Sequence, residues 1–149
     1  MKVLAFLQNQ WVREPDRVKE SIARYGEPWR RRFISMALFS GCLTGRRLKA
    51  ALGEDWCQKI IWEEASTEIG GNGRSYFPPD LAHVRRRVVE ENPDCVILFG
   101  KSNLALVSGV APFVIGGMVI TAPHPAARGA GIPADLKKLA DRLNTWGKL

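Results

Sequence analysis

The segment FLQNQW, residues 6–11, places three carboxamide side chains directly after an apolar run. Gln8, Asn9 and Gln10 are followed at once by an aromatic residue. A carboxamide carries both a hydrogen-bond donor and an acceptor, so it can recognise the edge of a heterocycle or hold a water molecule. It is also an ordinary way to end a strand. The segment therefore offers either a binding site or a simple strand end.

Three further apolar runs also end in polar side chains. KIIWEEAS ends in Glu63, Glu64 and Ser66, DCVILFGK reaches Lys101 after a glycine, and TAPHPAARG carries His124. Carboxylates accept hydrogen bonds, an imidazole donates or accepts, and an ammonium only donates. The chain thus repeats one pattern, an apolar run followed by groups that can bind a ligand.

The spacing of the apolar residues predicts the elements that position these groups. Strands are predicted over residues 3–8, 59–65, 94–99 and 114–121. Helices are predicted over residues 14–25, with Gly26 after the end, over 44–52 and 102–107, from about Asp80 onward, and after Pro133; residues 29–38 are ambiguous and 66–78 form a loop. Strands that are apolar on both faces and alternate with helices predict a three-layer α/β/α fold with a central four-stranded parallel sheet. In such sheets ligands bind beyond the carboxyl ends of the strands, where the polar groups lie.

Composition narrows the class of protein. The 149 residues suffice for one domain, residues 1–149, and contain no apolar run long enough to cross a membrane. The first residues lack the pattern of a signal peptide, so we expect a cytoplasmic protein. The three cysteines are scattered and form no CxxC pair, so we expect free thiols, no metal and no cofactor. We also expect a monomer.

The net charge of +7 is concentrated in arginine clusters. They lie at residues 30–32, 46–47 and 85–87. One such cluster is typical of a solvated face, whereas three in a chain this short indicate a polyanionic partner, and DNA is the candidate. His83, within the third basic segment, is predicted to be solvated.

The order of these motifs resembles that of the uracil-DNA glycosylase superfamily. TAPHPAARG resembles the His-Pro-Ser motif that follows its last strand, and FLQNQW resembles its first motif, G-[I/M]-N-P-G in the mismatch-specific and single-strand-selective branches. LFSGCLTGRRL resembles a later F-x-G…G-x-x-L segment, and PDCVILFGKSNLAL resembles its proline-aspartate strand and following turn. The resemblance covers nearly the whole chain and implies the superfamily's fold, base flipping and hydrolysis of an N-glycosidic bond.

The resemblance implies a role for each matched residue. Asn9 would hold the attacking water, and His124 would donate a hydrogen bond to the pyrimidine O2 as negative charge collects on the leaving base. Gln8, Phe39, Glu64 and Ser66 would contact the extruded base, with Phe39 stacked on it. Arg46, Arg74, Lys101 and Arg128 would bind DNA, with Arg128 in the loop that enters the minor groove.

The departures from the family pattern concern the substrate. Ala126 replaces the serine of His-Pro-Ser, and glutamate replaces the asparagine that recognises the base. Glu64 aligns there, with Glu63 as the competing register. A carboxylate only accepts hydrogen bonds, so it favours a base with an amino group, such as cytosine. Sparing ordinary cytosine requires a further mark, so we expect a hydroxymethylated or glucosylated cytosine of phage DNA, and a role in phage defence.

Three alternatives remain open at this point. Uracil removal in base-excision repair is the superfamily's commonest activity. A DNA-binding module of the same fold without turnover would explain the missing aspartate general base. A flavodoxin-like nucleotide-binding protein would explain the order of elements, although no glycine-rich phosphate loop follows the first strand.

Overall fold

The structure, a computed structural model, describes residues 1–71 and 76–146. Its strands are β1 (Val3–Leu7), β2 (Gln10–Trp11), β3 (Ile61–Glu64), β4 (Ile69–Gly70), β5 (Cys95–Phe99) and β6 (Met118–Ala122). Four of them form a parallel sheet in the order β3-β1-β5-β6, and β2 pairs with β4 in a small parallel sheet beside it. Parallel neighbours place all four carboxyl ends at one edge of the main sheet.

The helices connect these strands. They are α1 (Pro15–Leu38), α2 (Leu43–Leu52), α3 (Glu54–Lys59), α4 (Leu81–Glu91), α5 (Lys101–Leu104), α6 (Val107–Val110) and α7 (Ile132–Trp146), with a 3₁₀ turn at Ala111–Phe113. None of the helices in the described ranges is long and apolar enough to cross a membrane.

Two apolar cores lie on opposite faces of the main sheet. Along β1, Val3, Ala5 and Leu7 pack in one core while Leu4 and Phe6 pack in the other. The first core is closed by α1, α2, α3 and α7, and the second by α4 and α6. This alternation explains why the strands are apolar throughout, and it confirms the predicted three-layer α/β/α fold with four parallel strands.

The first helical region differs from the prediction. We predicted a helix that ends before Gly26, but the helical segment continues to Leu38 across a kink at that glycine, whose φ is +80°. Pro28 lies in the first turn after the kink, where its missing N–H costs no helical hydrogen bond. The ambiguous residues 29–38 are therefore helical.

Other boundaries also shift. The fourth strand starts at Met118 rather than at residue 114, because residues 114–117 form a turn with Gly116 at φ +71°. The short helix predicted over residues 102–107 is split into α5 and α6. Strand β3 is shorter than the strand predicted over residues 59–65 because Lys59 ends α3, and the predicted loop over residues 66–78 contains β4.

Candidate functional site

A pocket of about 400 Å³ opens at the carboxyl ends of the strands on the α1 side. The end of β1 contributes residues 7–10 to its wall, the end of β3 contributes Glu64, and the loop after β6 contributes His124. The rest of the wall comes from α1, from the start of α2 with the residue before it, and from the loop after His124. These residues are Ile34, Ala37 and Leu38, then Cys42, Leu43 and Thr44, and Ala126. The pocket has the size of small-molecule sites, and it lies where parallel sheets bind ligands. It brings together Gln8, Asn9, Glu64 and His124 from the predicted site.

Asn9 is held in place by its neighbours. Its Oδ1 accepts hydrogen bonds from Gln8 Nε2 at 3.3 Å and from the backbone N–H of Phe77 at 3.4 Å. Its Nδ2 donates to the carbonyl of Gln10 at 3.3 Å. These bonds fix the carboxamide at the edge of the pocket, which Asn9 lines. The side chain therefore both ends the strand and faces a ligand site.

The strand that presents Asn9 is fixed from α5. Asn103 is buried, and its Nδ2 donates to the carbonyls of Phe6 at 3.3 Å and Leu7 at 2.9 Å. The Leu7 carbonyl also accepts from the backbone N–H of Ala65 at 3.0 Å, so Asn103 adds a second, buried donor at the end of the strand. Asn103 therefore orients the last residues of β1 before the pocket.

His124 carries its proton on the nitrogen that remains available to a ligand. Nδ1 accepts a hydrogen bond from the backbone N–H of Ala126 at 3.1 Å, so that nitrogen is unprotonated. Burial lowers the pKa of His124 below its usual 6.5, which favours the neutral ring. A neutral ring whose Nδ1 accepts bears hydrogen on Nε2. The pocket is thus offered a neutral N–H donor.

Arg47 of α2 holds the loop that carries His124. Its Nη1 donates to the carbonyls of Pro125 at 2.7 Å and Ala127 at 3.1 Å. The start of α2 packs directly against the end of α1 because Gly45 has no side chain: a Cβ at that glycine would stand 1.8 Å from the Leu38 oxygen. The Arg46-Arg47 cluster therefore includes one residue that positions the loop, a role that its sequence did not reveal.

Glu64, and not Glu63, lines the pocket. Successive side chains of β3 point to opposite faces of the sheet, and Glu64 shares the face of Trp62 in the first core. Burial raises the pKa of Glu64 to about 8, and the neighbouring charge of Glu63 adds to the rise while Arg30 opposes it. At neutral pH the side chain is therefore mostly the neutral acid, which can donate as well as accept.

Gln10 is a pocket residue that was not among the predicted site residues. It is 7% exposed and lines the pocket, yet neither its Oε1 nor its Nε2 has a hydrogen-bond partner among residues 1–71 and 76–146. Oε2 of Glu64 is also buried without a hydrogen-bond partner among these residues. Buried polar atoms are normally paired, so two such groups beside one pocket indicate that a ligand completes them. The sequence signal for Gln10 was its place in the QNQ segment directly after β1, where it begins β2.

On the opposite face, Glu63 belongs to a buried ion-pair network. Arg87 Nε donates to Glu63 Oε1 at 2.7 Å, and its other nitrogens bind Glu90 and Glu91. His83 Nε2 lies 3.1 Å from the Glu64 carbonyl and 3.7 Å from Glu63 Oε2. Burial alone would raise the pKa of Glu63, but His83 and Arg87 outweigh it and lower that pKa. The prediction that His83 is solvated is wrong, since it is 3% exposed.

This network changes the interpretation of the arginine clusters. Five of the eight clustered arginines bind protein groups and are not simply solvated: Arg30, Arg47, Arg85, Arg86 and Arg87. The segment 85–87 is therefore largely structural, and the three clusters do not form the uniform basic face that the sequence indicated. Arg31, Arg32 and Arg46 have no ion pair within the described chain.

Two of the predicted base-contacting residues lie outside the pocket wall. The ring of Phe39 packs edge-on against Trp62 at 5.7 Å, with Lys49 Nζ 5.6 Å from its centre. Ser66 is buried, with its Oγ accepting from the backbone N–H of Glu68 at 3.1 Å. Phe39 packs against the first core and Ser66 forms a turn after β3, so the structure does not bring either of them into the pocket wall.

The predicted DNA-binding residues are exposed where the structure describes them. Arg46, Lys101 and Arg128 each lie at the surface, on α2, at the start of α5 and in the loop after His124. Arg74 lies outside the described residues. Within the described ranges, no three His, Cys, Asp or Glu residues are grouped so as to hold a metal ion.

Comparisons with protein-family profiles, with curated proteins and with solved structures find no match to this chain.

Proposed function

We propose that this protein is a monofunctional DNA N-glycosylase that flips a pyrimidine into the pocket and hydrolyses its glycosidic bond. The observation that carries the proposal is the neutral Nε2–H donor of His124 beside Asn9 and Glu64 in one pocket. The proposal includes action as a monomer, in the cytoplasm, without cofactor or metal.

His124 would stabilise the departing base. When the glycosidic bond breaks, the electron pair stays on N1 of the base, and negative charge collects on the ring and on its carbonyl oxygen O2. A fixed donor next to that charge lowers the barrier, and removal of one such donor typically costs about 100-fold to 1,000-fold in rate. The start of α2 (Leu43 and Thr44) also lines the pocket, and the positive end of its dipole adds to this effect.

Asn9 would hold the water that attacks the sugar carbon. An amide is not a general base, so it would orient the water while the sugar develops positive charge. The glycosidic bond breaks with its electron pair on the base, and the water oxygen forms the new bond to the sugar carbon. The water releases one proton to solvent, and the base anion takes up one proton from solvent. The product is an abasic site and a free base.

Glu64 governs which base is bound. As a neutral acid its C=O accepts from the cytosine amino group while its O–H donates to N3, or its O–H donates to uracil O4 while its C=O accepts from N3–H. As a carboxylate it only accepts. Because its pKa is raised to about 8, the preference for an amino-bearing base that was inferred from a carboxylate applies only at higher pH.

Two substrates follow. The first is a C5-modified cytosine, hydroxymethylated or glucosylated, of phage DNA, which the buried acid would bind through its amino group in a defence against phage. The second is uracil in base-excision repair, and the observation that favours it is the raised pKa of Glu64, which supplies a donor toward O4 at neutral pH.

The test is incubation with oligonucleotides that contain uracil, thymine mismatches, or unmodified, hydroxymethylated or glucosylated cytosine, followed by alkaline cleavage. We expect abasic sites with uracil or with a modified cytosine, and none with unmodified cytosine. His124→Ala should lose about 100-fold to 1,000-fold in single-turnover rate while its DNA affinity and melting temperature stay near those of the wild type. Asn9→Ala should also slow the chemical step.

The same assay tests the non-catalytic alternative. A binding module would shift DNA in a gel and leave every oligonucleotide resistant to alkali. That outcome, or an unchanged excision rate in His124→Ala, would overturn the proposed function.

A further inference from the structure

A row of three aromatic rings lies along α1 outside the pocket. Tyr25 and Trp29 have ring centres 6.4 Å apart, and the rings of Trp29 and Phe33 are stacked at 5.1 Å with an angle of 11° between their planes. Tyr25 is 57% exposed, and Trp29 and Phe33 are partly buried. We call these three residues the aromatic row. The proposed chemistry makes no use of it.

The aromatic row leads to the pocket. Trp29 and Phe33 are four residues apart on the part of α1 after the kink, so their side chains lie on one side of it. Tyr25 precedes the kink at Gly26, and its ring centre lies 6.4 Å from that of Trp29. The next residue at that spacing is Ala37, which lines the pocket together with Ile34 and Leu38 of the same helix. A ligand lying along the aromatic row would therefore reach the pocket without leaving α1.

The surroundings of the aromatic row are basic. The guanidinium of Arg24 lies 5.5 Å from the ring centre of Tyr25, and Arg32 is three residues beyond Trp29 on an exposed part of the helix. Neither arginine has an ion pair in the part of the chain that the structure describes. The acidic residue of this segment, Glu27, lies 3.8 Å from the buried Arg30.

We propose that the aromatic row binds unpaired nucleotides of single-stranded DNA on one side of the base that enters the pocket. The exposed ring of Tyr25 and the uncovered parts of Trp29 and Phe33 would stack on bases whatever their sequence, and the neighbouring guanidinium groups would contact the phosphates. In a duplex the base faces are covered by stacking, so the aromatic row would favour single-stranded over double-stranded DNA. A second copy of this chain would have to bring its own positive charge against Arg24 and Arg32, which disfavours self-association at this surface.

The inference rests on the proposed function only for the identity of the flipped base. The experiment measures the affinity for an unmodified single-stranded oligonucleotide by fluorescence anisotropy at fixed salt. Trp29→Ala should weaken it roughly five-fold to 100-fold, the range found for the loss of one stacked base. Binding to a duplex of the same sequence should change much less. Trp29→Leu, which keeps apolar packing on the helix but removes the flat ring, should weaken single-strand binding comparably and guards against a folding defect.

Trp56→Ala is the matched control. Trp56 also has a cation near its ring, with Lys59 Nζ at 5.9 Å, but it lies beside Met1 at the opposite edge of the sheet. We expect wild-type single-strand affinity in this variant. Equal affinity of wild type and Trp29→Leu would overturn the inference. So would a dimer in sedimentation that Trp29→Leu abolishes, because that result would assign the surface to a second copy.

Failure of this inference can be distinguished from failure of the proposed function. In one outcome the wild type produces abasic sites but the Trp29 variants bind single strands normally. That outcome would support the proposed glycosylase and contradict the role of the aromatic row. In the other outcome those variants bind single strands more weakly, yet the wild type forms no abasic sites on any substrate. That outcome would support the role of the aromatic row and contradict the proposed glycosylase.

Discussion

Replacing Glu64 by glutamine should change how the stability of the protein depends on pH. Burial raises the pKa of Glu64 from 4.5 to about 8, since the charged form is disfavoured inside the protein. Between these two pH values the folded protein therefore binds more protons at this position than the unfolded chain does. The contribution of Glu64 to stability is greatest at acid pH and is lost as pH rises through this window.

The magnitude follows from the shift. At 1.36 kcal/mol for each unit of pKa, a rise from 4.5 to about 8 corresponds to roughly 5 kcal/mol, an upper bound because water entry relieves part of the burial. We expect the free energy of unfolding of the wild type to fall by about 2–5 kcal/mol relative to Glu64→Gln between pH 5 and pH 9. For a chain of this size, that difference corresponds to a melting temperature change of about 5–15 °C.

The assay is thermal unfolding of both proteins at pH 5, 7 and 9. The titration of every other group is common to the two proteins, so the difference between their curves isolates Glu64. Glu68→Gln, an exposed carboxylate four residues further along, is the control and should track the wild type at every pH. Curves for Glu64→Gln and wild type that stay parallel from pH 5 to pH 9 would refute the buried neutral acid, and with it the argument about base preference.

Three further results are expected. Glu64→Gln keeps a donor toward O4 at every pH, so uracil excision above pH 8 should fall for the wild type and persist in the variant; identical pH profiles would remove Glu64 from contact with the base. Arg87→Met leaves the buried Glu63 without its arginine partner, so it should lower the free energy of unfolding by about 3–5 kcal/mol in a denaturant titration, whereas Arg17→Met, which removes only the exposed ion pair with Glu14, should cost less than about 1 kcal/mol. Arg47→Ala should release the loop that carries His124 and lower the excision rate with little change in DNA affinity, and an unchanged rate would mean that the loop holds itself.

The sequence predicted the fold because the strands carry their signal in their own residues. The runs at 3–7 and 95–99 are apolar at every position, which requires burial on both faces and hence helices on both sides of a parallel sheet. The helix around Gly26 was harder to predict, because glycine and proline usually end helices. Here the kink lets the chain continue in a new direction, and packing of Ile34 and Leu38 in the first core stabilises the second part.

The sequence predicted part of the candidate site for a related reason. Residues directly after parallel strands must gather at one edge of the sheet, so Asn9, Glu64 and His124 could be expected to lie together. Phe39 could not be placed in this way, because its position depends on how α1 ends against Trp62. The partners of Arg47 and Arg87 were likewise hidden, since they lie 78 and 24 residues away along the chain.

Adjacent glutamates in β3 show how one strand serves two purposes. Glu63 points toward α4, where Arg87 and His83 lower its pKa and hold it as a buried carboxylate. Glu64 points toward α1, where burial raises its pKa and Oε2 has no partner among the described residues. The alternation of the strand separates the two by one peptide unit and by the full thickness of the sheet. Charge on the α4 face therefore contributes to folding, whereas the acid on the α1 face remains available to bind a ligand.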